Sequence, residues 1–500
     1  MRGSIKLIYI LFGLLIQSCQ DSDRIQIQVV QSSASGDQLK LVEHLSEGNP
    51  TYTFKLDTLN SKQRISGFGG AFTESSAQLL FNLSPEKRLD IVKKYFGESG
   101  ANYSLCRTHM NSCDFSLNHY SYAPLVGDTF LESFSIQPDL DDLIPMIQMA
   151  QQESKNGFRI IASPWTAPPW MKDNADWFGG QLLPEFSSTW ADYFVRYDKA
   201  YDSLGIDIWA YTVENEPLGN DLNWESMHYT HERMASFIKN HMGPAFKEND
   251  IDAHILVYDQ NRGEELVEWS KALLLDQELL PFIYGTAVHW YTSTIDWMGE
   301  SLAKTHEFAP EKHILHTEGC IDNEVPHWKD DAWYWSKNAT DWGFDWAPDE
   351  DKEDHPKYVP TYRYARDMIG CLNNWVEGWV DWNMLLDRTG GPNLADNWCV
   401  APVIVDTVSN EVYYTPLYFI MSHFSKYIRP GAKVLSLDQQ GELLVAAVKN
   451  ANGSIACVVL NQPGRKQEFA ININGEVSYY SIDGQAIQTI VIDWINRDSE

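Results

Sequence analysis

The chain has 500 residues, more than one ordinary core requires and enough for a barrel of roughly 250 to 350 residues beside a second domain. A formal net charge of −31, from 69 acidic against 38 basic residues with no Lys/Arg cluster, argues against nucleic-acid partners and favours a neutral or cationic substrate. Aromatic residues make up 13 % of the chain and 19 are Trp, a richness that suits the apolar face of a sugar ring and equally suits a large core.

From the start of the chain, Met1-Arg2-Gly3-Ser4-Ile5-Lys6, an apolar run at 7–16 and Gln17-Ser18-Cys19 read as the basic, apolar and cleavage regions of an export signal. The apolar run is too short to remain as a membrane span. A small residue directly before Cys19 resembles a bacterial lipoprotein signal. The expectation is an exported lipoprotein of the cell surface or periplasm, with residues 1–19 as the signal and Cys19 as the lipid anchor and sole membrane contact. A plain secretory signal is the other reading. Six cysteines remain, Cys106, Cys113, Cys320, Cys371, Cys399 and Cys457, with no CxxC pair, which removes zinc-ribbon and thioredoxin readings. Cys106 and Cys113 fit a disulfide or two buried thiols.

Short alternating segments at 26–30 and 52–56 read as strands with one buried face. The C-terminal segments 443–448, 454–460, 468–473 and 487–492, separated by turns such as Asn452-Gly453 and Asn474-Gly475, have the same character. Strands need partners, so 20–63 and 409–500 are expected to share one β-sandwich. Between them, at 64–408, apolar runs alternate with amphipathic ones as in βα units around a parallel sheet. Eight strands are predicted, at 64–69, 103–108, 159–163, 208–213, 254–258, 285–288, 313–317 and 377–382. Helices fall between them, among them 85–96 with Ser84 as N-cap, 140–155 and 187–204. Eight strands make a (β/α)8 barrel; the open doubly wound sheet lacks the GxGxxG it would show after its first strand.

Chemistry in such a barrel belongs at the C-terminal ends of the strands, where polar residues gather here. The second strand leads through Arg107 and His109 to Asp114, the fourth ends Glu214-Asn215-Glu216-Pro217, and the seventh ends Thr317-Glu318-Gly319. Glu216 and Glu318 stand across the mouth from each other and fit the carboxylate pair of glycoside cleavage, where a separation of about 5 to 5.5 Å means retention. Two carboxyls so close do not both ionise cheaply, so the more desolvated one is expected to keep its proton and act as the acid. Pro217 is expected to halt the strand and turn Glu216 into the mouth. Asn215 is placed to bond a sugar 2-hydroxyl, and His289 or Tyr291 to steer the nucleophile. A strand-end Glu is also a common ion-pair or capping residue. His289, His316 and Glu318 can be drawn together as a metal site on strand alternation alone, although the resemblance described next implies no metal.

Gly67-Phe68-Gly69-Gly70-Ala71-Phe72-Thr73-Glu74, Ser163-Pro164-Trp165-Thr166-Ala167-Pro168-Pro169-Trp170-Met171-Lys172, Glu214-Asn215-Glu216-Pro217, Val288-His289-Trp290-Tyr291, Thr317-Glu318-Gly319-Cys320 and Gly378-Trp379-Val380-Asp381-Trp382-Asn383 together resemble glycoside hydrolase family 30. Gly390-Gly391-Pro392-Asn393 and His423-Phe424-Ser425-Lys426-Tyr427 extend the resemblance over roughly residues 60 to 500. The family includes lysosomal glucocerebrosidase and β-1,6-glucanases. The resemblance implies a (β/α)8 barrel with a side β-sandwich from both chain ends and retaining hydrolysis of a β-glucoside without cofactor, with Glu216 as acid/base and Glu318 as nucleophile. It also implies that Trp165, Asn215 and Trp382 contact the sugar, that His289 and Tyr291 line its pocket, and that Asn397 reaches it from the following loop. Glucocerebrosidase-like members carry Asp where Glu74 stands, so Glu74 is expected to grip the distal sugar hydroxyls. The Trp-rich segment 322–355 reads either as an aromatic wall for the leaving group or as a self-packed lid. The expected substrate is a β-1,6-glucan or β-gluco-oligosaccharide, with glucosylceramide as the rival and a non-catalytic glycan-binding lipoprotein as the competing class.

Overall fold

The computed structural model describes residues 24–219, 221–293, 296–322, 362–395 and 399–495. Eight parallel strands close into a barrel: Gly67–Phe72, Leu105–Met110, Arg159–Pro164, Ala210–Thr212, His254–Asn261, Gly285–His289, His313–Glu318 and Val376–Asn383. The eighth pairs back onto the first, Gly378 opposite Gly67 and Trp379 opposite Phe68. All eight expected strands are present. The first starts three residues later than expected because Arg64 ends the preceding strand, Tyr52–Arg64. Its glycines answer close packing: a Cβ on Gly69 would lie 2.0 Å from the Leu105 carbonyl oxygen.

Local chemistry accounts for the helices around the barrel. Pro85–Phe96 begins with the Ser84 hydroxyl accepting the Lys87 N–H and buries Ile91, Val92, Tyr95 and Phe96 at helical spacing. The helix expected at 140–155 is shorter, Leu143–Glu153, because the Asp142 carboxylate caps the Leu143 N–H at 2.6 Å after a separate 3-10 turn at Gln137–Leu140.

The chain ends share a nine-stranded sheet. Arg24–Ser33 pairs antiparallel with Ala486–Ile495 along its whole length, and Tyr52–Arg64 runs between Lys433–Leu437 and Gln467–Ile473. The expectation of one buried face holds for Tyr52–Arg64 but not for the central strands Leu443–Lys449 and Ile455–Asn461. There Val445, Ala447, Cys457 and Val459 enter the sandwich core, while Ala446, Val448, Ala456 and Val458 pack into the barrel's core. A sheet between two cores loses its polar face. Helix Pro416–Ser425 ties the bodies together: His423 reaches Ser32 at 2.9 Å and Thr489 at 2.8 Å, and burial lowers its pKa to about 3, so it bonds as a neutral ring. Lys40–Val42, Lys433–Leu437 and Glu476–Ile482, unforeseen in the sequence, complete the sheet.

Cys106 and Cys113 are separate buried thiols. Cys19, Asn397 and the Trp-rich segment after Asp322 lie outside the described residues.

Candidate active site

A cavity of about 320 Å³ opens at the C-terminal ends of the strands, and Trp165, Asn215, Glu216, Tyr291, Glu318 and Trp382 line it. The two tryptophans stack with ring centroids 5.1 Å apart and planes 18° from parallel. The Arg107 guanidinium lies over both, 4.9 Å from the Trp165 ring centre and 5.6 Å from that of Trp382.

Departures from regular strand geometry aim the polar side chains. Strict alternation would set Glu216 on the side of Glu214, opposite Asn215. Instead Glu216 adopts a left-handed φ of 48°, while its N–H donates to the Asp259 carbonyl and Asn215 N–H donates to that of Pro164. The turn at Glu216 itself, rather than Pro217, breaks the alternation; such a conformation costs about 1–3 kcal/mol outside glycine. Glu214 stays in the wall, fully buried and pushed well above the carboxylate range by burial. The fifth strand bulges between Tyr258 and Gln260, with φ of 78° at Tyr258 and 55° at Asp259. The seventh bulges between His316 and Glu318. Thr317 and Glu318 consequently both join the charge network, whereas His316 stacks on Trp379 at 4.3 Å. That placement takes His316 away from the metal grouping that alternation allowed, and no group of three or more ligands for a metal exists among the described residues.

Arg107 organises the charges. Fully buried, it donates to Asp259 Oδ2 at 2.7 Å, Asn215 Oδ1 at 2.8 Å, Ser163 Oγ at 3.0 Å and, in a short ion pair, Glu318 Oε2. Tyr291 donates its hydroxyl to the other Glu318 oxygen at 2.9 Å. His289 bridges Glu216 and Asp259, Nδ1 lying 3.2 Å from Glu216 Oε1 and Nε2 lying 3.0 Å from Asp259 Oδ1. Asp259 also accepts the Thr317 hydroxyl at 2.7 Å.

Burial alone would disfavour each of these charges, so their signs are set by one another. Burial lowers the pKa of His289, but the negative charges of Glu318 and Asp259 outweigh it and raise His289 to about 9. Burial raises Asp259, but Arg107 and His289 outweigh it and hold that carboxyl well below its usual range. Glu318 is pushed up, by burial first and by the charge of Glu216, against the pull of His289 and Arg107. The more desolvated member of the pair is therefore Glu318, with 8 % of its side chain exposed against 18 % for Glu216. Desolvation alone would point to Glu318 as the acid, and the Arg107 ion pair on Glu318 opposes that choice.

The described cavity-lining residues do not include Glu74. It begins the helix Glu74–Asn82, and its carboxylate accepts the Leu117 N–H at 3.2 Å while burial raises its pKa to about 7. Asp114 lines the cavity instead, its Oδ1 sealed from solvent without a hydrogen-bond partner and its pKa driven well above the usual range by burial. Sequence reasoning noted Arg107 and Asp114 near the second strand without giving them a role. It ended the fifth strand at 258, one residue short of Asp259, because a bulge leaves no periodic trace. An Arg and an Asp among apolar strand residues were the available signals.

The family model described as the glycosyl hydrolase family 30 TIM-barrel domain matches residues 65–428, and that for the family 30 beta sandwich domain matches residues 431–490. The chain is similar to putative glucosylceramidase 3 of Caenorhabditis elegans, 35 % identical over 451 residues that cover 87 % of this chain and 81 % of the relative. It is similar to the lysosomal acid glucosylceramidase of Mus musculus, 31 % identical over 456 residues that cover 88 % and 84 %. Among solved structures, the endo-β1,6-glucanase BT3312 superposes with a TM-score of 0.78 at 25 % identity, covering 95 % of this chain and 100 % of the other.

Proposed function

Since the chain belongs to glycoside hydrolase family 30 and is a β-glycosidase, we propose that it cleaves a β-glucosidic bond with retention, Glu318 as nucleophile and Glu216 as acid/base. One observation carries the division of roles. Donors from Arg107 and Tyr291 hold both oxygens of Glu318, as an anionic nucleophile requires, whereas Glu216 sits at the more open rim and meets His289. Arg107 and protonated His289 offset the charges of Asp259 and Glu318.

In the first step a Glu318 oxygen bonds to the anomeric carbon, the bond to the leaving oxygen breaks, and Glu216 gives that oxygen its proton. In the second, Glu216 takes a proton from water, whose oxygen displaces Glu318 from the same carbon. The Trp165–Trp382 stack offers the sugar an apolar wall, and Asp114 adds a carboxyl to the lining of the same cavity. A Glu216→Ala enzyme should lose about 10²- to 10⁴-fold with poor leaving groups and recover with a dinitrophenyl glucoside, which needs no proton. Equal loss with both would remove the acid role.

For the substrate we favour a β-1,6-glucan or β-gluco-oligosaccharide, in keeping with the superposition on an endo-β1,6-glucanase over nearly the whole of both chains. The second reading is glucosylceramide, supported by identities of 35 % and 31 % to proteins named as glucosylceramidases. Incubation with gentiobiose, β-1,6-glucan and glucosylceramide separates them. Glucose released from the lipid alone overturns the glucan preference.

A further inference from the structure

The cavity wall also carries two sulfur atoms that hydrolysis does not use. Cys320 lies two residues beyond Glu318, and Cys399 comes from the segment after the eighth strand; each is 3 % exposed and both line the cavity. The backbone pairing Ile321↔Val400 and Asp322↔Cys399 is antiparallel. One more step of that register sets Cys320 opposite Ala401, so Cys320 and Cys399 are diagonal neighbours on one face. Their sulfurs are 3.4 Å apart. Cys106, Cys113, Cys371 and Cys457 are buried outside the cavity lining.

We propose that Cys320 and Cys399 form a dithiol modification site that reacts with low-molecular-weight disulfides and closes to an intramolecular disulfide that slows turnover. One thiolate attacks a sulfur of RSSR and releases RS⁻; the second then attacks the mixed disulfide and releases the other RS⁻. The two thiol protons go to the two departing thiolates, so one dithiol and one RSSR become one protein disulfide and two RSH. The protein sulfurs are oxidised and the external disulfide is reduced. A bond of about 2.05 Å requires the sulfurs to approach by about 1.4 Å, within reach of side-chain rotation and a small shift of the two-residue pairing.

The link to catalysis runs through Tyr291. Its hydroxyl lies 3.5 Å from Cys320 Sγ and donates to Glu318 Oε1 at 2.9 Å. The neighbouring peptides are also engaged: Trp290 Nε1 donates to the Cys320 carbonyl at 3.1 Å, and Trp382 N–H donates to that of Gly319 at 3.0 Å. Drawing Cys320 towards Cys399 therefore disturbs the hold on the nucleophile and the tryptophan beside it.

The test treats the full chain with oxidised glutathione or with dithiothreitol, maps its peptides by mass spectrometry and measures initial rates on an aryl β-glucoside. Each variant is compared with its own reduced form. The expected result is a Cys320–Cys399 linked peptide and a fall in rate of at least about fivefold, the scale of a disturbed hydrogen bond, restored by dithiothreitol. Cys399→Ser and Cys320→Ser should show an oxidised-to-reduced rate ratio near one. Glutathione adducts without the link, a link with unchanged rate, or a Cys399→Ser enzyme that loses rate equally would overturn the proposal. The rate measurement rests on the hydrolase reading above, and the peptide map does not. A reduced chain inactive on every glucoside but cross-linked after oxidation would count against that reading while supporting the dithiol.

Discussion

Within the barrel, Leu105, Ile161, Ala210, Leu256, Ala287, Leu315 and Val380 form one buried layer. One step of strand alternation nearer the mouth stand Arg107, Ser163, Thr212, Asp259, His289, Thr317 and Trp382, with Glu318 beside Thr317. Seven strands thus change from aliphatic to polar or aromatic across about two residues, a rise of roughly 6 to 7 Å. The lower layer is held by burial, which has no direction and tolerates rearrangement. The upper is held by paired charges of opposite sign, so one loss is felt by all. On the proposed function the lower layer supports the fold and the upper performs the chemistry, so substitutions should divide along that boundary.

The sharpest division is expected on the seventh strand. Glu318→Gln should lower kcat by roughly a thousandfold or more, because the covalent step disappears. Turnover on an aryl glucoside within about tenfold of the parent would refute the nucleophile assignment and blur the boundary. Three residues below, Leu315→Ala should cost about 2–5 kcal/mol in urea unfolding, with kcat per folded molecule unchanged. A large change in kcat there would mean that the layers are mechanically coupled. Asp114→Ala should raise KM by about ten- to a hundredfold, since the sugar loses a polar group of the cavity lining.

The layers should also differ with pH. His289, raised to about 9 in the fold from an ordinary 6.5, contributes stability that is fully present below pH 6.5 and is lost as pH rises through about 9. Asp259, depressed in the fold, contributes above 3.8, and that contribution is lost only as pH falls. Urea unfolding at pH 6 and pH 10 should therefore show an alkaline loss that His289→Asn removes and Leu315→Ala retains. An alkaline loss unchanged in His289→Asn would place its origin outside the upper layer. The smallest effect is expected at Glu74→Gln: KM should move by no more than about twofold, because this side chain serves the Leu117 N–H rather than the cavity. A shift as large as that of Asp114→Ala would return Glu74 to the site.

The lower layer was readable in the sequence and the upper only partly so. Ile160 to Ala162 and Ile314 to Leu315 announce themselves as short apolar runs, and burial on both faces of a parallel strand follows from composition. Glu216 and Glu318 were legible because each closes such a run with a carboxylate, and Trp165, Asn215, Tyr291 and Trp382 because they belong to the same motifs. Asp114 stands in the described cavity lining and Glu74 does not: both follow a strand end, and nothing in their local sequence says which carboxylate turns inward. His289 came as a member of a motif, without the Asp259 that fixes its charge.

The eight barrel strands, the β character of both chain ends and the motifs of the mouth were determined by the sequence alone, because periodicity and burial act between neighbours along the chain. Tertiary structure decided which carboxylate is more buried, that Arg107 and Asp259 set the charges, and that Cys320 meets Cys399. Those outcomes depend on bulges at the strand ends, a left-handed turn at Glu216 and electrostatic forces between strands more than a hundred residues apart, as from Arg107 to Asp259 and Glu318. A closed barrel brings such residues within bonding distance, and no local pattern along the chain encodes that approach.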